Sequence, residues 1–137
     1  MDSGLLQFKQ DGVITVATVV TTNMLDSLTV SEFGDELVNY VQAHPKVKLL
    51  LDFENVDFLT SAALSELIRI NEAATRVRGI VRLCGLSKDI QKVFKITKLD
   101  EMFALNPDDD VEVSVTKFKR LVERAAEEKA WEKKARH

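Results

Sequence analysis

Alternating apolar and polar positions open the chain and predict a β-hairpin. Residues 6–8 and 13–20 are rich in β-branched and apolar side chains, and they flank the segment Gln10-Asp11-Gly12. An Asp-Gly pair favours a tight connection between antiparallel strands. We therefore expect the first two strands of the chain to pair with each other.

The next pattern has the period of an amphipathic helix. Thr29 and Glu32 have the spacing of a capping box. Apolar residues then recur every three or four positions until His44-Pro45 interrupts them, and these residues are Val30, Phe33, Leu37 and Val41. The pattern predicts a helix that is capped by Thr29.

The middle of the chain alternates buried strands with helices. Val47 to Phe53 is nearly continuous apolar sequence, as expected for a strand that is covered on both faces of a parallel sheet, and residues 54–60 form a polar loop. From Ser61 to Arg78 the apolar residues step by three or four, which predicts a helix with Gly79 at its C-terminal cap. Ile80 to Cys84 then predicts a second short buried strand.

The last third contains three further apolar patterns. Ser87 can cap a helix that carries Ile90 and Phe94, and residues 102–105 predict one more strand. Residues 111–115 alternate as in a strand but equally suit the start of a helix. Beyond them a C-terminal helix is predicted from one apolar stripe, which consists of Phe118, Leu121, Val122 and Ala125.

This order of elements predicts a single α/β domain. Its sheet is expected to be mixed and mainly parallel, with about five strands, and the antiparallel first strand lies at or near an edge. Residues 1–115 form the predicted domain, and residues 116–137 form a C-terminal helical extension. Trp131 lies in the charged part of that extension and either packs back on the domain or joins a partner.

Composition and charge narrow the class of protein. A chain of 137 residues with 45% hydrophobic and 30% charged side chains suits one compact domain. The net charge of −3 creates no positive field that would attract nucleic acid or an anionic membrane. No apolar run approaches the roughly 20 residues of a membrane span, and the first residues lack the order of a signal peptide. We therefore expect a soluble cytoplasmic protein.

Catalytic, cofactor and metal sites find little support in the residues. The two histidines, His44 and His137, stand at a helix end and at the last position, where neither suits a catalytic base. Cys84 lies in an apolar strand, where a free thiol acts as a small buried hydrophobe. The sequence contains neither a phosphate-binding glycine motif nor a set of metal ligands. We predict no catalytic residue, no cofactor and no metal.

Two hydroxyl residues, Thr60 and Ser61, stand where a helix is predicted to begin. Free backbone N–H groups and the positive end of the helix dipole favour negative charge there, so the fold would tolerate a phosphate on Ser61. That phosphate, next to Asp57, would place a charge of about −1.5 to −2 in front of any partner docked over the helix. The simpler interpretation is that Thr60 or Ser61 caps the helix, which is worth about 1 kcal/mol.

Residues 49–105 resemble the STAS domain of the anti-sigma factor antagonists. Residues 50–59, Leu-Leu-Asp-Phe-Glu-Asn-Val-Asp-Phe-Leu, are similar to the strand and loop signature of that family. Residues 60–64, Thr-Ser-Ala-Ala-Leu, stand where the family carries Asp-Ser-Ser/Ala-Gly-Leu. Residues 79–87 and 93–103 are similar to the strand and turn, and to the third helix and last strand, that follow in the family.

The resemblance implies a non-enzymatic switch protein. In the family, the serine at the position of Ser61 is phosphorylated by a kinase that is also an anti-sigma factor, and a PP2C-type phosphatase removes the phosphate. The unmodified form sequesters the kinase and frees the sigma factor, so it regulates transcription indirectly. Ser61 is then the phosphorylation site, with Thr60 as the alternative acceptor. The expected partner-binding residues are Asp57, Phe58, Thr60, Ser61, Ala62, Leu64 and Ser65.

Two further hypotheses compete with this switch. Thr60 and Ala63 replace the Asp and Gly of the family pattern, which together with the C-terminal helix suggests a structural STAS subunit of a larger signalling or transport assembly. The other hypothesis is a small enzyme with Ser61 as nucleophile and Asp57 or Glu54 nearby, but no base or oxyanion motif accompanies that serine.

Overall fold

The computed structural model describes residues 4–20, 26–103 and 109–135 and contains one mixed sheet in them. Its strands are β1 (Leu6–Asp11), β2 (Ile14–Val19), β3 (Lys48–Asp52) and β4 (Ile80–Cys84), in the order β1-β2-β3-β4. β1 is antiparallel to β2, whereas β2, β3 and β4 are parallel to one another. The mixed α/β sheet with an antiparallel strand at its edge is confirmed, and the described residues hold four strands where about five were predicted.

The first hairpin has the tight turn that its sequence predicts. Asp11 pairs with Ile14, so that Gly12 and Val13 alone connect the two strands. The backbone φ of Gly12 is 60°, in the left-handed region that such a connection requires and that glycine adopts without a steric penalty.

Five helices occupy much of the rest of the described residues. They are α1 (Ser27–Ala43), α2 (Ser61–Arg76), α3 (Lys88–Ile96), α4 (Leu99–Phe103) and α5 (Val111–Ala135). α1 ends at His44, as predicted, but the prediction that Thr29 caps it is wrong. The cap is Asp26, whose Oδ2 accepts the backbone N–H of Thr29 at 3.3 Å, so Thr29 lies in the first turn.

The strand predicted at residues 102–105 is wrong for the part that the structure describes. Met102 and Phe103 lie in α4, and Ala104 and Leu105 lie outside the described residues. Leu99 and Phe103 are both buried and are four residues apart, which is the spacing of one helical face. The Phe103 ring packs 6.2 Å from that of Phe94 on α3. A helical turn therefore buries this short apolar segment.

Helices cover both faces of the sheet. On one face, α1 and α2 pack against alternate strand residues, among them Leu49 and Leu51 of β3. On the other face, α5 packs on Leu50, and the residues buried there are Ile14, Val16, Leu50, Cys84, Val115 and Phe118. Burial on both faces explains why β3 is apolar at successive positions. The ambiguous segment 111–115 is the start of α5.

The end of α2 differs from the predicted glycine cap. Its C-cap is Val77, and the left-handed residue is Arg78, with a φ of 61°. Gly79 is needed for a different reason, because a Cβ there would lie 2.9 Å from the carbonyl oxygen of Val47. Its N–H donates to the carbonyl of Ala74 at 2.7 Å, which ties the helix end to the start of β4.

α5 runs without a break through residues 115 and 116, where the domain and its extension were predicted to meet. The division into residues 1–115 and 116–137 stays a prediction.

α5 has 25 residues, yet neither it nor any other helix in the described ranges is long and apolar enough to cross a membrane.

Candidate functional site

The candidate site lies where the chain leaves β3 and enters α2. Asp52 ends the strand and is buried, and its Oδ1 accepts the backbone N–H of Glu54 at 3.1 Å. The N–H of Phe53 donates to the carbonyl of Cys84 at 3.0 Å, and the Asn55 amide donates to the carbonyl of Val19 at 3.4 Å. These bonds tether the first half of the loop to the carboxyl ends of its neighbouring strands.

Gly85 supports the same loop from the side of β4. Its φ is 69°, and a Cβ there would lie 2.7 Å from Asp52 Oδ1 and 2.9 Å from the backbone nitrogen of Glu54. Only a residue without a side chain permits this approach at this backbone conformation. The turn after β4 is thus in contact with the loop that leads to α2, a contact that the sequence analysis missed. A glycine directly after a buried strand was the available signal.

Thr60 caps α2. Its backbone is extended, with a φ of −84° and a ψ of 166°, and its hydroxyl accepts the N–H of Ala63 at 3.1 Å. Its carbonyl accepts the N–H of Leu64 at 3.1 Å, which begins the helical ladder. Of the two candidate caps, Thr60 is therefore the one that the helix uses. Threonine and aspartate both serve as N-caps, so the departure from the family pattern preserves this bond.

Ser61 is the first residue of α2 and is exposed. Its carbonyl accepts the hydroxyl of Ser65 at 3.1 Å, but no residue that the structure describes hydrogen-bonds to its own hydroxyl. The side chain stands at the end of the helix that carries unpaired N–H groups and partial positive charge. A phosphate at this position would meet solvent and a favourable dipole.

The predicted contact residues differ in how much surface they offer. Asp57, Ala62 and Ser65 are exposed, and the Phe58 ring is 58% exposed. Leu64 is 8% exposed and belongs to the main core, so it supports the helix and has little surface for a partner. The exposed members surround Ser61 on the loop and on the first turn of the helix, with an aromatic ring as the largest apolar group.

Ala63, the second departure from the family pattern, is fully buried in the main core. Its methyl group lies in the first turn of α2 and packs beneath the helix, while its N–H is the donor to the Thr60 cap. The described structure accommodates the extra methyl group in the core.

Burial raises the pKa values of an acidic group and a thiol behind the loop. Burial raises the pKa of the Asp52 carboxyl above its usual value, and the nearby Glu54 charge adds to that shift. Burial also raises the pKa of the Cys84 thiol to about 12, with a further contribution from Asp52 and an opposing hydrogen bond from Ser114 on α5. Cys84 is fully buried, which confirms its predicted structural role.

The described residues place no histidine beside Ser61. His44 is the C-cap of α1 and precedes β3, whereas Ser61 follows β3. The His44 ring stacks on Tyr40 with the ring centroids 4.1 Å apart, and its Nδ1 lies 2.8 Å from the Tyr40 carbonyl oxygen. His137 lies outside the described residues. In the ranges that the structure covers, no group of three or more His, Cys, Asp or Glu side chains is arranged to hold a metal ion.

The comparisons with known proteins agree with this fold. The family model of the STAS domain matches residues 7–116. An anti-sigma-factor antagonist (STAS) domain protein from Planctomyces limnophilus shares 23% identity at a TM-score of 0.64, over 72% of this chain and 86% of that one. An anti-sigma factor antagonist from Mycobacterium paratuberculosis shares 18% identity at a TM-score of 0.68, over 83% of this chain and 92% of that one.

A third solved structure shares the fold. It is the Bacillus cell fate determinant SpoIIAA in its phosphorylated form, which shares 18% identity at a TM-score of 0.55, over 70% of this chain and 86% of that one. At these identities the solved structures establish the shared fold, whereas the family model, which matches most of the chain, establishes the family.

Proposed function

The chain belongs to the STAS domain family, and on that premise we propose that it is an anti-sigma factor antagonist that phosphorylation at Ser61 switches off. The observation that carries the proposal is the pair of hydroxyls at the start of α2. Thr60 is the helix cap, whereas Ser61 is exposed. None of the described residues forms a hydrogen bond with the Ser61 hydroxyl. Solved relatives include antagonists and one phosphorylated form, which supports this assignment.

In the proposed switch, the phosphate weakens partner binding by changing the charge of the surface and does not unfold the domain. A phosphate on Ser61 adds about −1.5 to −2 charges at a helix N-terminus, where the dipole and the free N–H groups favour it. The helix is therefore expected to keep its structure. A partner that covers Phe58, Ala62 and Ser65 would have to desolvate that phosphate beside the exposed Asp57. Binding is lost because the surface changes charge.

The proposed partners are a serine kinase that is also an anti-sigma factor and a PP2C-type phosphatase. The unmodified chain would bind the kinase, and the released sigma factor would then act on transcription. The chain itself carries out no catalytic step in this scheme and binds no nucleic acid directly. These partners locate the proposed function in the cytoplasm.

Thr60 is the position at which kinase recognition is expected to be unusual. The threonine preserves the cap but removes the carboxylate that the family carries beside the acceptor. A cognate kinase must therefore recognise a less acidic loop. As the N-cap, Thr60 holds its hydroxyl against the N–H of Ala63, so we propose Ser61 as the acceptor and Thr60 as its competitor in the assay below.

The test combines phosphopeptide mapping with binding. After incubation with the candidate kinase and ATP, phosphate should be found on Ser61, and S61A should abolish the labelling. In the binding assay, S61A should retain the kinase and S61D should weaken its binding at least about tenfold, which corresponds to about 1.4 kcal/mol. T75D, an exposed hydroxyl residue near the other end of α2, is the matched control for a negative charge outside the proposed surface. Phosphate found only on other residues would reject the switch.

A structural STAS subunit of a larger assembly is the second candidate. It is favoured by the exposure of Trp131, which is 73% exposed and does not pack back on the domain. A chain truncated after Val122 keeps Val115 and Phe118, the α5 residues buried on the sheet. If that truncation abolishes partner binding while S61D leaves it unchanged, the structural subunit replaces the switch.

A further inference from the structure

The second half of α5 extends beyond the domain. Among the α5 side chains that the structure describes, Phe118 is the last that is fully buried, and Val122 is the last that packs against the sheet cluster. Every residue from Glu123 to Glu132 is exposed. At 1.5 Å per residue, the part of the helix from Glu123 to Ala135 extends about 20 Å past the domain. We call residues 121–135 the projecting segment.

One face of the projecting segment has the spacing of a helix-pairing surface. Leu121, Arg124, Glu128 and Trp131 follow one another at intervals of three, four and three residues, which places them along one side of a helix. Leu121 is 39% exposed and Trp131 is 73% exposed. The residues that hold α5 on the sheet, Val115, Phe118 and Val122, form a different stripe. The domain therefore leaves this face open.

We propose that this face binds the same face of a second copy of the chain, with the two helices antiparallel. A two-fold axis near residue 126 brings Leu121 against Trp131 of the second copy. The same register brings Arg124 against Glu128 of the second copy, because both pairs are centred on the same residue. The contact then has an apolar layer at each end and two ion pairs between them.

Self-complementarity is the reason to assign a second copy as the occupant. Each charged residue of the face finds its opposite in the same register, and each apolar residue finds an apolar partner. The contact is short, so it falls at or below the lower end of stable interfaces, about 1,200 Å² in total. We therefore expect a dimer that dissociates in the micromolar range, with Trp131 as its main anchor.

The dimer would leave the surface around Ser61 free. Ser61 follows β3, at the carboxyl ends of the parallel strands. α5 crosses the sheet to the other end, where Lys119 bonds to Asp11 beside the hairpin turn, with Nζ 2.5 Å from Oδ1. The projecting segment departs from that end. Loss of the dimer should therefore leave Ser61 phosphorylation intact, so this inference and the proposed function can fail separately.

Sedimentation equilibrium of the full chain from about 1 to about 200 μM tests the proposal. Wild type should show a reversible monomer–dimer equilibrium, and W131A should raise the dissociation constant at least about tenfold. A chain that stays monomeric over the whole range, or a dimer that W131A leaves unchanged, overturns it.

Charge reversal tests the register. R124E and E128R should each be monomeric, because each variant places like charges opposite each other. Mixed in equal amounts, they should form a heterodimer, since R124E presents two glutamates to two arginines of E128R. E123R is the matched control, because it makes the same kind of charge change outside the proposed face and should dimerise like wild type. Failure of the mixed variants to pair, with helicity retained by circular dichroism, rejects the antiparallel arrangement.

Discussion

The backbone N–H of Ala63 donates to the hydroxyl of Thr60 at 3.1 Å, and this bond closes the first turn of α2. Because Thr60 takes this role, the helix does not use the Ser61 hydroxyl, and the two neighbouring residues separate into a structural position and a modifiable one. The separation has a consequence for stability that can be measured without any partner.

Replacing Thr60 by alanine should destabilise the domain by about 1 kcal/mol, because it removes an N-cap. T60D should recover most of that loss, since aspartate also caps and adds a favourable charge at the helix N-terminus. Urea denaturation measures both variants. S61A is the control and should change the free energy of unfolding by less than about 0.5 kcal/mol. Equal losses in T60A and S61A would contradict the assignment of the cap.

Local patterns in the sequence predicted the hairpin, β3, β4 and the position of α2, because each of these elements has a clear period or a strong turn signal. Residues 102–103 were assigned to a strand because a short apolar run has no period of its own, and the neighbouring α3 decided the outcome by packing Phe94 against Phe103. Long-range packing overrode local propensity there.

The candidate site was predictable to the same degree. Its location followed from a strand, a polar loop and a helix start, but the sequence left Thr60 and Ser61 as alternative caps, and the structure identifies Thr60 as the cap. The contact of Gly85 with Asp52 and the burial of Cys84 beneath α5 join residues far apart in the chain. A glycine after a strand signals a close backbone approach but does not identify its partner. The second covered face of the sheet was visible only as the continuous apolar sequence of β3.

Gly85 should not tolerate a side chain. An alanine there would be strained at a φ of 69° and would place its Cβ 2.7 Å from Asp52 Oδ1. We expect G85A to cost about 1–3 kcal/mol in the free energy of unfolding, measured by urea denaturation. It should also slow phosphorylation of Ser61 if the kinase recognises the loop in its present conformation. G4A is the control, because nothing lies within 4 Å of a Cβ at Gly4. If G85A is as stable as wild type, the loop can change its conformation to accommodate the methyl group, which contradicts this prediction.

Asp52 should make stability depend on pH. Burial raises its pKa in the folded state above the ordinary value of 3.8, so the folded protein binds a proton at pH values where the unfolded chain does not. Stability from this group therefore increases as the pH falls from neutral through the folded pKa, and levels off below 3.8. D52N removes the charge while its side-chain oxygen can still accept the Glu54 N–H. We expect the advantage of D52N over wild type to be largest near pH 7 and to shrink on acidification.

Denaturation of wild type and D52N at a series of pH values measures that difference. D57N, which removes an exposed carboxylate from the same loop, is the control for the loss of one negative charge. If D52N is less stable than wild type at pH 7 and the gap does not vary with pH, the buried charge is not destabilising and its hydrogen bonds dominate.

Phe118 should be the residue that fixes α5 on the sheet. Its ring is buried with Val115 and Leu50, and the guanidinium carbon of Arg82 lies 5.5 Å from the ring centroid. F118A removes both the apolar contact and the cation–π contact, so we expect a loss of about 3–5 kcal/mol in the free energy of unfolding.

W131A is the matched aromatic control on the same helix and, at protein concentrations where the chain is monomeric, should change that free energy by less than about 0.5 kcal/mol. Detachment of α5 in F118A should also expose Cys84, which is otherwise buried and whose thiol pKa that burial raises to about 12. The thiol should therefore react with a disulfide reagent at pH 8 much faster in F118A than in wild type or W131A. Equal reaction rates in all three proteins would mean that α5 is held on the sheet by other contacts.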